Sequence, residues 1–196
     1  MPGERVLMNH AIVLGSMLFV AGGLFSPDEL RLRLKNDTSL VAPGLGSEGV
    51  VLGEKANSLI RDRGRADRVA MPGGGKDLFR EVFGQTSGPA IRFDRVYHYA
   101  YGRFAVFLLG DEVVAIAGYD RARVTTDAVR IAAGAELFIF NYGNEGLERL
   151  ARRKNVMYVY RNLGIAVADD GNDDSIDLVV VFTAEKGPAK GIVRPR

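Results

Sequence analysis

The chain of 196 residues is 47% hydrophobic and 26% charged, which is the composition of a folded globular protein and excludes an intrinsically disordered one. Its formal net charge is +2, so no global electrostatic field draws the protein onto nucleic acid or a membrane surface. Because cysteine is absent, disulfide bonds, thiolate catalysis and zinc–thiolate sites are excluded, and we expect a reducing, cytoplasmic location.

The first predicted element is an apolar helix over residues 11–25, a segment without charged side chains. A helix that crosses a membrane needs about 20 apolar residues, so this segment is too short to span a bilayer. Arg5 precedes it and small residues end it, which is also the pattern of a signal peptide. We predict a buried core helix and no membrane partner, and the alternative of a targeting or membrane-contact segment stays open.

A second helix is predicted to begin after Ser26. Ser26 is a common N-cap residue, and Pro27 suits the first helical position. The acidic pair Asp28 and Glu29 follows, and negative charge stabilises the start of a helix.

Residues 35–88 are rich in glycine and charge, which predicts long loops or a domain boundary. The two N-terminal helices also match the first half of a winged-helix pattern, which needs a recognition helix near Ser47 or Glu54. Glycines disfavour a helix in this region, so a plain helical packing unit is the preferred interpretation. A short amphipathic helix is predicted over residues 76–83.

Residues 90–101, 103–110 and 112–119 are predicted to form an antiparallel meander, because apolar runs alternate with turn signals at Gly102 and Gly110. Farther on, we predict a helix over 124–134, a buried strand over 135–142, a helix over 144–154 and strands over 156–162, 164–168 and 176–182. The strand at 135–142, the helix after it and the next strand are long enough for a parallel crossover.

These elements, in the order βββ-α-β-α-β-ββ, predict an α+β (α/β) fold. It is a mixed, largely antiparallel sheet with helices packed on it, preceded by a mainly helical N-terminal segment. The predicted domains are a helical and loop-rich segment over residues 1–75, an α/β sheet domain over 76–185 and a flexible tail over 186–196.

Six basic residues are close together in the glycine-containing stretch 60–80: Arg61, Arg63, Arg65, Arg68, Lys76 and Arg80. A strand, a glycine loop and a helix can form an anion site, because helix-start N–H groups point at the anion. The stretch is not a P-loop, since Ala70 replaces the first glycine and Asp77 the metal-binding hydroxyl residue. It predicts a surface for RNA or DNA phosphates, and the alternative is a solvated loop with self-paired charges.

No aromatic residue stands among these bases in the sequence up to Met71, which argues against a platform for stacking single-stranded bases. In the following strand, alternation puts Tyr97, Tyr99 and Tyr101 on one face and His98 on the other. Such a tyrosine row either packs in the core or contacts nucleic acid from an exposed sheet face. Tyr97 and Tyr99 are therefore included among the candidate nucleic-acid-binding residues.

Two other patterns are candidate sites with competing interpretations. The run GLGSEG at residues 44–49 has the spacing of a dinucleotide-binding fingerprint but lacks a buried strand before it. Aspartates crowd the turn between the last two predicted strands: Asp169, Asp170, Asp173, Asp174 and Asp177. Their oxygens can bind calcium or magnesium, but the ordered spacing of an EF-hand is absent. A solvated turn that discourages edge association is favoured, and no metal ligand is assigned.

Asp177, Glu185 and Lys186 resemble in part the metal-binding set of PD-(D/E)XK nucleases. Those enzymes place an Asp on one strand and a Glu-x-Lys on the next strand. Here the Glu and the Lys are adjacent and follow the same strand as the Asp, so the spacing departs from the pattern.

The leading functional prediction is a nucleic-acid-associated protein that holds the phosphate backbone of RNA or DNA through the basic stretch, without a cofactor and without catalysis. The alternative is a structural or assembly module that forms homo-oligomers through its apolar N-terminus and its sheet edge. A metal-dependent nuclease is the weaker alternative. The excess of arginine over lysine also fits a thermophile.

Overall fold

The computed structural model describes residues 26–72, 75–119, 124–125, 134–170 and 175–185. The helices in these ranges are α1 (Pro27–Asn36), α2 (Ala56–Arg63), α3 (Leu78–Val82) and α4 (Ala135–Tyr142). The strands up to the meander are β1 (Leu40–Ala42), β2 (Gly46–Ser47), β3 (Val50–Val51), β4 (Arg68–Ala70), β5 (Lys76–Asp77), β6 (Arg92–Phe93), β7 (Arg95–Tyr99), β8 (Phe104–Leu109) and β9 (Glu112–Gly118). The later strands are β10 (Val124–Thr125), β11 (Leu147–Arg152), β12 (Asn155–Tyr160), β13 (Ile165–Asp169) and β14 (Leu178–Phe182).

Several predicted features fall outside the described residues. They are the apolar helix at 11–25, most of the helix at 124–134, the tail at 186–196, and Asp173 and Asp174. Val124 and Thr125, at the start of the segment 124–134 for which a helix was predicted, form strand β10. Within the described ranges, none of the helices has both the length and the apolar character that crossing a lipid bilayer requires.

One antiparallel sheet of eight strands dominates the fold, in the order β11-β12-β13-β14-β9-β8-β7-β4. A smaller sheet has the order β10-β1-β2-β3, and a third pairs β5 with β6. The fold is therefore mixed α+β with antiparallel sheets and few helices, which confirms that part of the prediction. Strand β4 lies before the predicted domain division at residue 75, yet it is an edge strand of the large sheet. The division itself stays a prediction.

Helix α1 begins as the sequence predicts, through a capping box. The Ser26 hydroxyl accepts the Glu29 backbone N–H at 3.2 Å, and the Glu29 carboxylate accepts the Ser26 N–H at 2.6 Å. These two bonds satisfy backbone donors that the first turn of a helix leaves unpaired. Lys35 ties the end of α1 to α2 through its ion pair with Asp62, at 2.6 Å.

The GLGSEG run forms a β-hairpin. Gly46–Ser47 and Val50–Val51 pair as β2 and β3 around a tight turn. The turn residues Glu48 and Gly49 both have positive φ, at 57° and 68°, as a two-residue type I′ hairpin turn requires. The run is thus a turn in a small sheet, and helix α2 begins only after Lys55. This result removes both the dinucleotide fingerprint and a recognition helix starting at Ser47.

The predicted antiparallel meander is confirmed by β7, β8 and β9. The first predicted strand is interrupted at Asp94, between β6 and β7. Asp94 donates its backbone N–H to the Leu108 carbonyl at 2.9 Å, and its carboxylate accepts the Gly110 N–H at 2.9 Å. The interruption lets β6 pair with β5 while β7 pairs with β4 and β8.

Residues 135–142 form helix α4, so the prediction of a buried strand there is wrong. A short apolar run fits a strand or a buried helix equally well by its pattern alone. In the structure, Phe138 and Tyr142 lie one helical turn apart and pack on Tyr160, with ring centroids 5.8 and 5.9 Å from that ring. Gly143 follows the helix with a positive φ of 77°, which glycine adopts more readily than other residues.

Residues 147–152 form strand β11, so the predicted helix over 144–154 is also wrong. Every residue of β11 has a partner in β12, from Leu147 opposite Tyr160 to Arg152 opposite Asn155. The charge pattern of this segment favours a helix, but pairing with β12 and burial of Leu150 override that local preference. Because β11 and β12 form a hairpin, the predicted parallel crossover does not occur.

The large sheet is buried on both faces. Along β14, Leu178, Val180 and Phe182 face the core beneath α3, and Val179 and Val181 face the core beneath α4. Helix α2 covers the same face as α4, through Leu59, which packs with residues of β7, β8 and β9. Helices thus cover the sheet as predicted, in three layers.

Phe79 of α3 and Phe182 of β14 form an edge-to-face pair, with ring centroids 5.3 Å apart and both side chains buried. We expect Phe79→Ala to lower the free energy of unfolding by about 3–5 kcal/mol, because it leaves a cavity at the centre of this core. Urea denaturation measures this change. Phe140→Ala is the control, since Phe140 is 83% exposed and its removal should change stability by less than about 0.5 kcal/mol. Equal effects of the two variants would contradict this arrangement of the core.

Candidate nucleic-acid interface

The predicted strand–loop–helix anion site does not form as such. Lys76 and Asp77 are the short strand β5, and α3 after them has only five residues. The Asp77 carboxylate accepts the Arg80 backbone N–H at 2.9 Å and thus caps α3 itself. Because the protein's own carboxylate holds this helix start, no anion is expected there.

A cleft of about 610 Å³ lies beside α3 and gathers three basic side chains, Lys76, Arg80 and Arg92. The other residues that line it are Gly75, Asp77, Glu81, Thr86, Gly88 and Ala90. Arg92 reaches the cleft from β6, which pairs with β5, and donates from Nη1 to the Gly75 carbonyl at 2.8 Å. Arg92 was not among the predicted bases, because only the β5–β6 pairing brings it to the basic stretch.

The acidic residues of the cleft are partly engaged by the protein. Asp77 caps α3, as described above, and Glu81 lies 3.7 Å from the Lys76 ammonium. Both side chains of that second pair are about half exposed, and such surface pairs contribute little to stability, on the order of 0–1 kcal/mol. Within the part of the chain that the structure describes, the Arg80 side chain has no ion pair. The cleft therefore presents cationic groups that a dissolved anion can reach.

Arg68 lies on the same face of the sheet as the cleft. It is opposite His98 in the β4–β7 pair, and Ala70, two residues on, packs against the core beneath α3. The Arg68 guanidinium nitrogen Nη2 lies 3.1 Å from His98 Nε2. Since arginine can only donate, this contact requires a neutral His98 that accepts on Nε2. We call Arg68, Lys76, Arg80 and Arg92 the basic face.

The pKa of His98 is lowered from its ordinary value, first by burial and then by the positive charge of Arg68. Glu81, which lines the cleft, acts in the opposite direction and favours the charged imidazole. His98 is therefore close enough to Glu81 of α3 for the two charges to interact.

The other predicted bases lie on the opposite side of the sheet, on α2 or just after it. Arg61 pairs with Asp62 at 3.1 Å and donates to the Ser58 hydroxyl at 3.0 Å. Arg63 donates to the Glu48 carbonyl and is only partly exposed. Arg65, in the loop after α2, is exposed. The structure thus separates the six predicted bases into two groups, and only Arg68, Lys76 and Arg80 share a face.

Two predicted tyrosines are core residues. Tyr97 and Tyr99 are 7% and 5% exposed and pack with Leu59 of α2. Tyr99 stacks on Phe104 with 5.1 Å between ring centroids, and burial raises its pKa to about 12. Neither ring offers a free face to a nucleic-acid base, so we leave both out of the proposed interface. Tyr101 differs, because β7 ends at Tyr99 and the Tyr101 side chain is fully exposed.

Three of the predicted aspartates come together. One carboxylate oxygen from each of Asp169, Asp170 and Asp177 lies within 4.8 Å of the others, and Asp177 also accepts the Asp170 N–H at 2.9 Å. Glu185, in contrast, binds the Arg161 guanidinium at 2.6 Å. The acidic residues that resemble a nuclease set are therefore not gathered around Asp177 in the described part of the chain. A metal site at the three aspartates stays a hypothesis.

Because the chain has two histidines, the NMR signal of His98 can be assigned and followed, which gives a direct test of the Arg68–His98 contact. We expect the His98 ring to titrate below 6.5 by NMR, and Arg68→Gln to raise its pKa while burial still keeps it below that value. The unfolded chain then binds a proton at His98 more readily than the folded protein, so the free energy of unfolding falls as the pH drops below 6.5. His98→Gln, which also assigns the resonance, should weaken this pH dependence. A His98 pKa above 6.5 in the native protein contradicts the contact.

Comparison with known proteins assigns no family, since neither a family model nor a curated protein matches the chain. Solved structures that resemble it include an extracellular protein containing an SCP domain from Bacillus anthracis, at 10% identity over 67% of this chain and 44% of that one, with a TM-score of 0.41. Another is a DUF4309 family protein from Bacillus subtilis (17% identity, 79% and 96% covered, TM-score 0.42). A third is a cysteine-rich secretory protein from Staphylococcus aureus (14% identity, 75% and 50% covered, TM-score 0.41). The chain spans half or less of the first and third proteins, and TM-scores below 0.5 carry no argument about its family.

Proposed function

We propose that the protein binds the phosphate backbone of nucleic acid through the basic face and catalyses no reaction. The observation that supports this proposal is the convergence of Lys76, Arg80 and Arg92 on one cleft, with Arg68 beside it. Arginine is well suited to this role, because its planar guanidinium can donate two parallel hydrogen bonds to a phosphate. A backbone contact of this kind is independent of sequence and accommodates RNA or DNA.

The small net charge indicates that nucleic acid would be attracted by nearby basic side chains and not by the charge of the whole protein. The net charge of +2 is too small to attract a polyanion at long range, so attraction must come from the basic face itself. The Debye length is about 8 Å at physiological ionic strength, so only nearby phosphates feel these side chains. Binding should therefore be of modest affinity and strongly dependent on salt.

The test is fluorescence anisotropy with labelled single- and double-stranded RNA and DNA over a range of salt concentrations. We expect Lys76→Gln/Arg80→Gln to weaken binding of every sequence alike. It should also reduce the slope of log affinity against log salt by about 1 for each residue, because each neutralised phosphate releases counterions.

Arg31→Gln/Arg33→Gln is the matched control for this measurement. It removes the same charge from exposed positions on α1, away from the cleft. Equal salt slopes for the two double variants would mean that binding is nonspecific to the whole surface. Failure of the native protein to bind any of the four nucleic acids at low salt would refute the proposal.

A second candidate function is a protein-assembly module, which the outer face of α4 favours. Leu137 and Phe140 are three residues apart on this helix and are 43% and 83% exposed. Large exposed apolar residues that are neighbours often mark a contact surface. The apolar segment at 11–25, to which the sequence analysis gave the same role, lies outside the described residues.

The assembly hypothesis and the nucleic-acid-binding hypothesis predict different effects of salt. We expect oligomers that persist as salt rises, because apolar contacts are not screened, and that dissociate in Leu137→Lys/Phe140→Lys. Sedimentation velocity at low and high salt measures the oligomeric state. A monomer under both conditions would exclude this candidate.

A further inference from the structure

The turn between β7 and β8 holds a tyrosine in an unfavourable backbone conformation. Ala100, Tyr101 and Gly102 have φ of 49°, 55° and 88°, all in the left-handed region. Non-glycine residues seldom occupy this region, and Ala and Tyr are not among the types that tolerate it best. Such outliers persist only where neighbouring structure holds them, and they cluster at functional sites.

Contacts from the α2–β4 loop hold this turn in place. The Asp67 carboxylate accepts the Tyr101 backbone N–H at 2.8 Å, and the Arg103 N–H donates to the Ala100 carbonyl at 3.2 Å. Beneath the turn, the buried Tyr99 ring stacks on Phe104. The backbone is therefore held in place while the Tyr101 ring is fully exposed and belongs to none of the hydrophobic clusters formed by the described residues.

The same contacts place Tyr101 among the basic residues. Asp67 directly precedes Arg68 of the basic face, so the hydrogen bond holds Tyr101 next to the start of β4. In the linear sequence, no aromatic residue stands between Arg61 and Arg68, but the Asp67–Tyr101 hydrogen bond brings one to this stretch. An exposed aromatic ring near a basic surface is an arrangement by which proteins bind single-stranded nucleic acid.

We propose that Tyr101 stacks on a base of single-stranded nucleic acid whose phosphates contact Arg68 of the basic face. The inference rests on the proposed function and narrows its ligand to a single strand. A duplex keeps its bases stacked on one another, so their faces are not accessible to a side chain, whereas unpaired bases can splay out onto an aromatic ring. Stacking is tolerant of sequence, since every base has a π face.

The experiment compares a labelled oligothymidylate with an abasic strand of the same length and charge. The abasic strand keeps every phosphate and removes every base, so it reports the phosphate contacts alone. We expect the native protein to bind the oligothymidylate about tenfold more tightly than the abasic strand, which is within the range for stacking on one ring.

Tyr101→Asn is the informative variant, because asparagine tolerates the left-handed backbone and has no ring. We expect it to bind the oligothymidylate as weakly as the abasic strand, with its affinity for the abasic strand and its salt slope unchanged. Tyr101→Trp should restore the preference for bases. Unfolding in urea checks that both variants keep native stability.

The outcomes separate this inference from the proposed function. If the native protein binds both strands equally and Tyr101→Asn has no effect, the stacking role is refuted while the phosphate surface stands. If neither strand binds at low salt, both proposals fail. If Tyr101→Asn weakens binding of the abasic strand as much as that of the oligothymidylate, the residue supports the turn and does not stack on bases.

Discussion

Burial of strand β14 on both of its faces is the constraint on which the rest of the structure depends. All five residues of Leu178–Phe182 are buried, and their alternation sends side chains into two separate cores. A strand of this kind needs a covering layer on each side of the sheet. Helix α3 covers one side, and α2, α4 and the hairpin of β2 and β3 cover the other.

Because both faces of the sheet are covered, the positions available to charged side chains are restricted. The central strands leave no place for exposed basic residues, so these collect on the covering elements and at the sheet edge. Strand β4 is a short edge strand that carries Arg68, and charge on an edge discourages pairing with another chain. The same arginine lies on the face of the sheet that α3 covers and belongs to the basic face. Protection of the edge and recognition of an anion are thus compatible roles for one side chain.

Alternation along β7 explains why the tyrosines of one row have different roles. Tyr97 and Tyr99 face the core beneath α2, while His98 faces Arg68 on the other side. Two residues later the strand has ended, and the turn carries Tyr101 away from the core. The buried Tyr99 is the base on which the turn rests, through its stack on Phe104. The path of β7 thus explains both the burial of Tyr97 and Tyr99 and the exposure of Tyr101.

The sequence by itself determined the features that depend on neighbours along the chain. The N-cap of α1 at Ser26 and the meander of β7, β8 and β9 follow from capping, alternation and turn residues, which are local signals. The local pattern likewise predicted that Asp169 and Asp177 flank the connection between the last two strands, and Asp169 ends β13 while Asp177 directly precedes β14.

Only the tertiary structure decided whether ambiguous segments form helices or strands. It also decided which residues lie together at the candidate site. Residues 135–142 form a helix where a strand was predicted, because the helix packs on Tyr160. Residues 147–152 form a strand where a helix was predicted, because pairing with β12 outweighs the local preference. The six predicted bases were separated by the thickness of the sheet, and Arg92 and Tyr101 joined them through a strand pair and one hydrogen bond. These contacts link residues distant in sequence, and no local pattern of side chains encodes them.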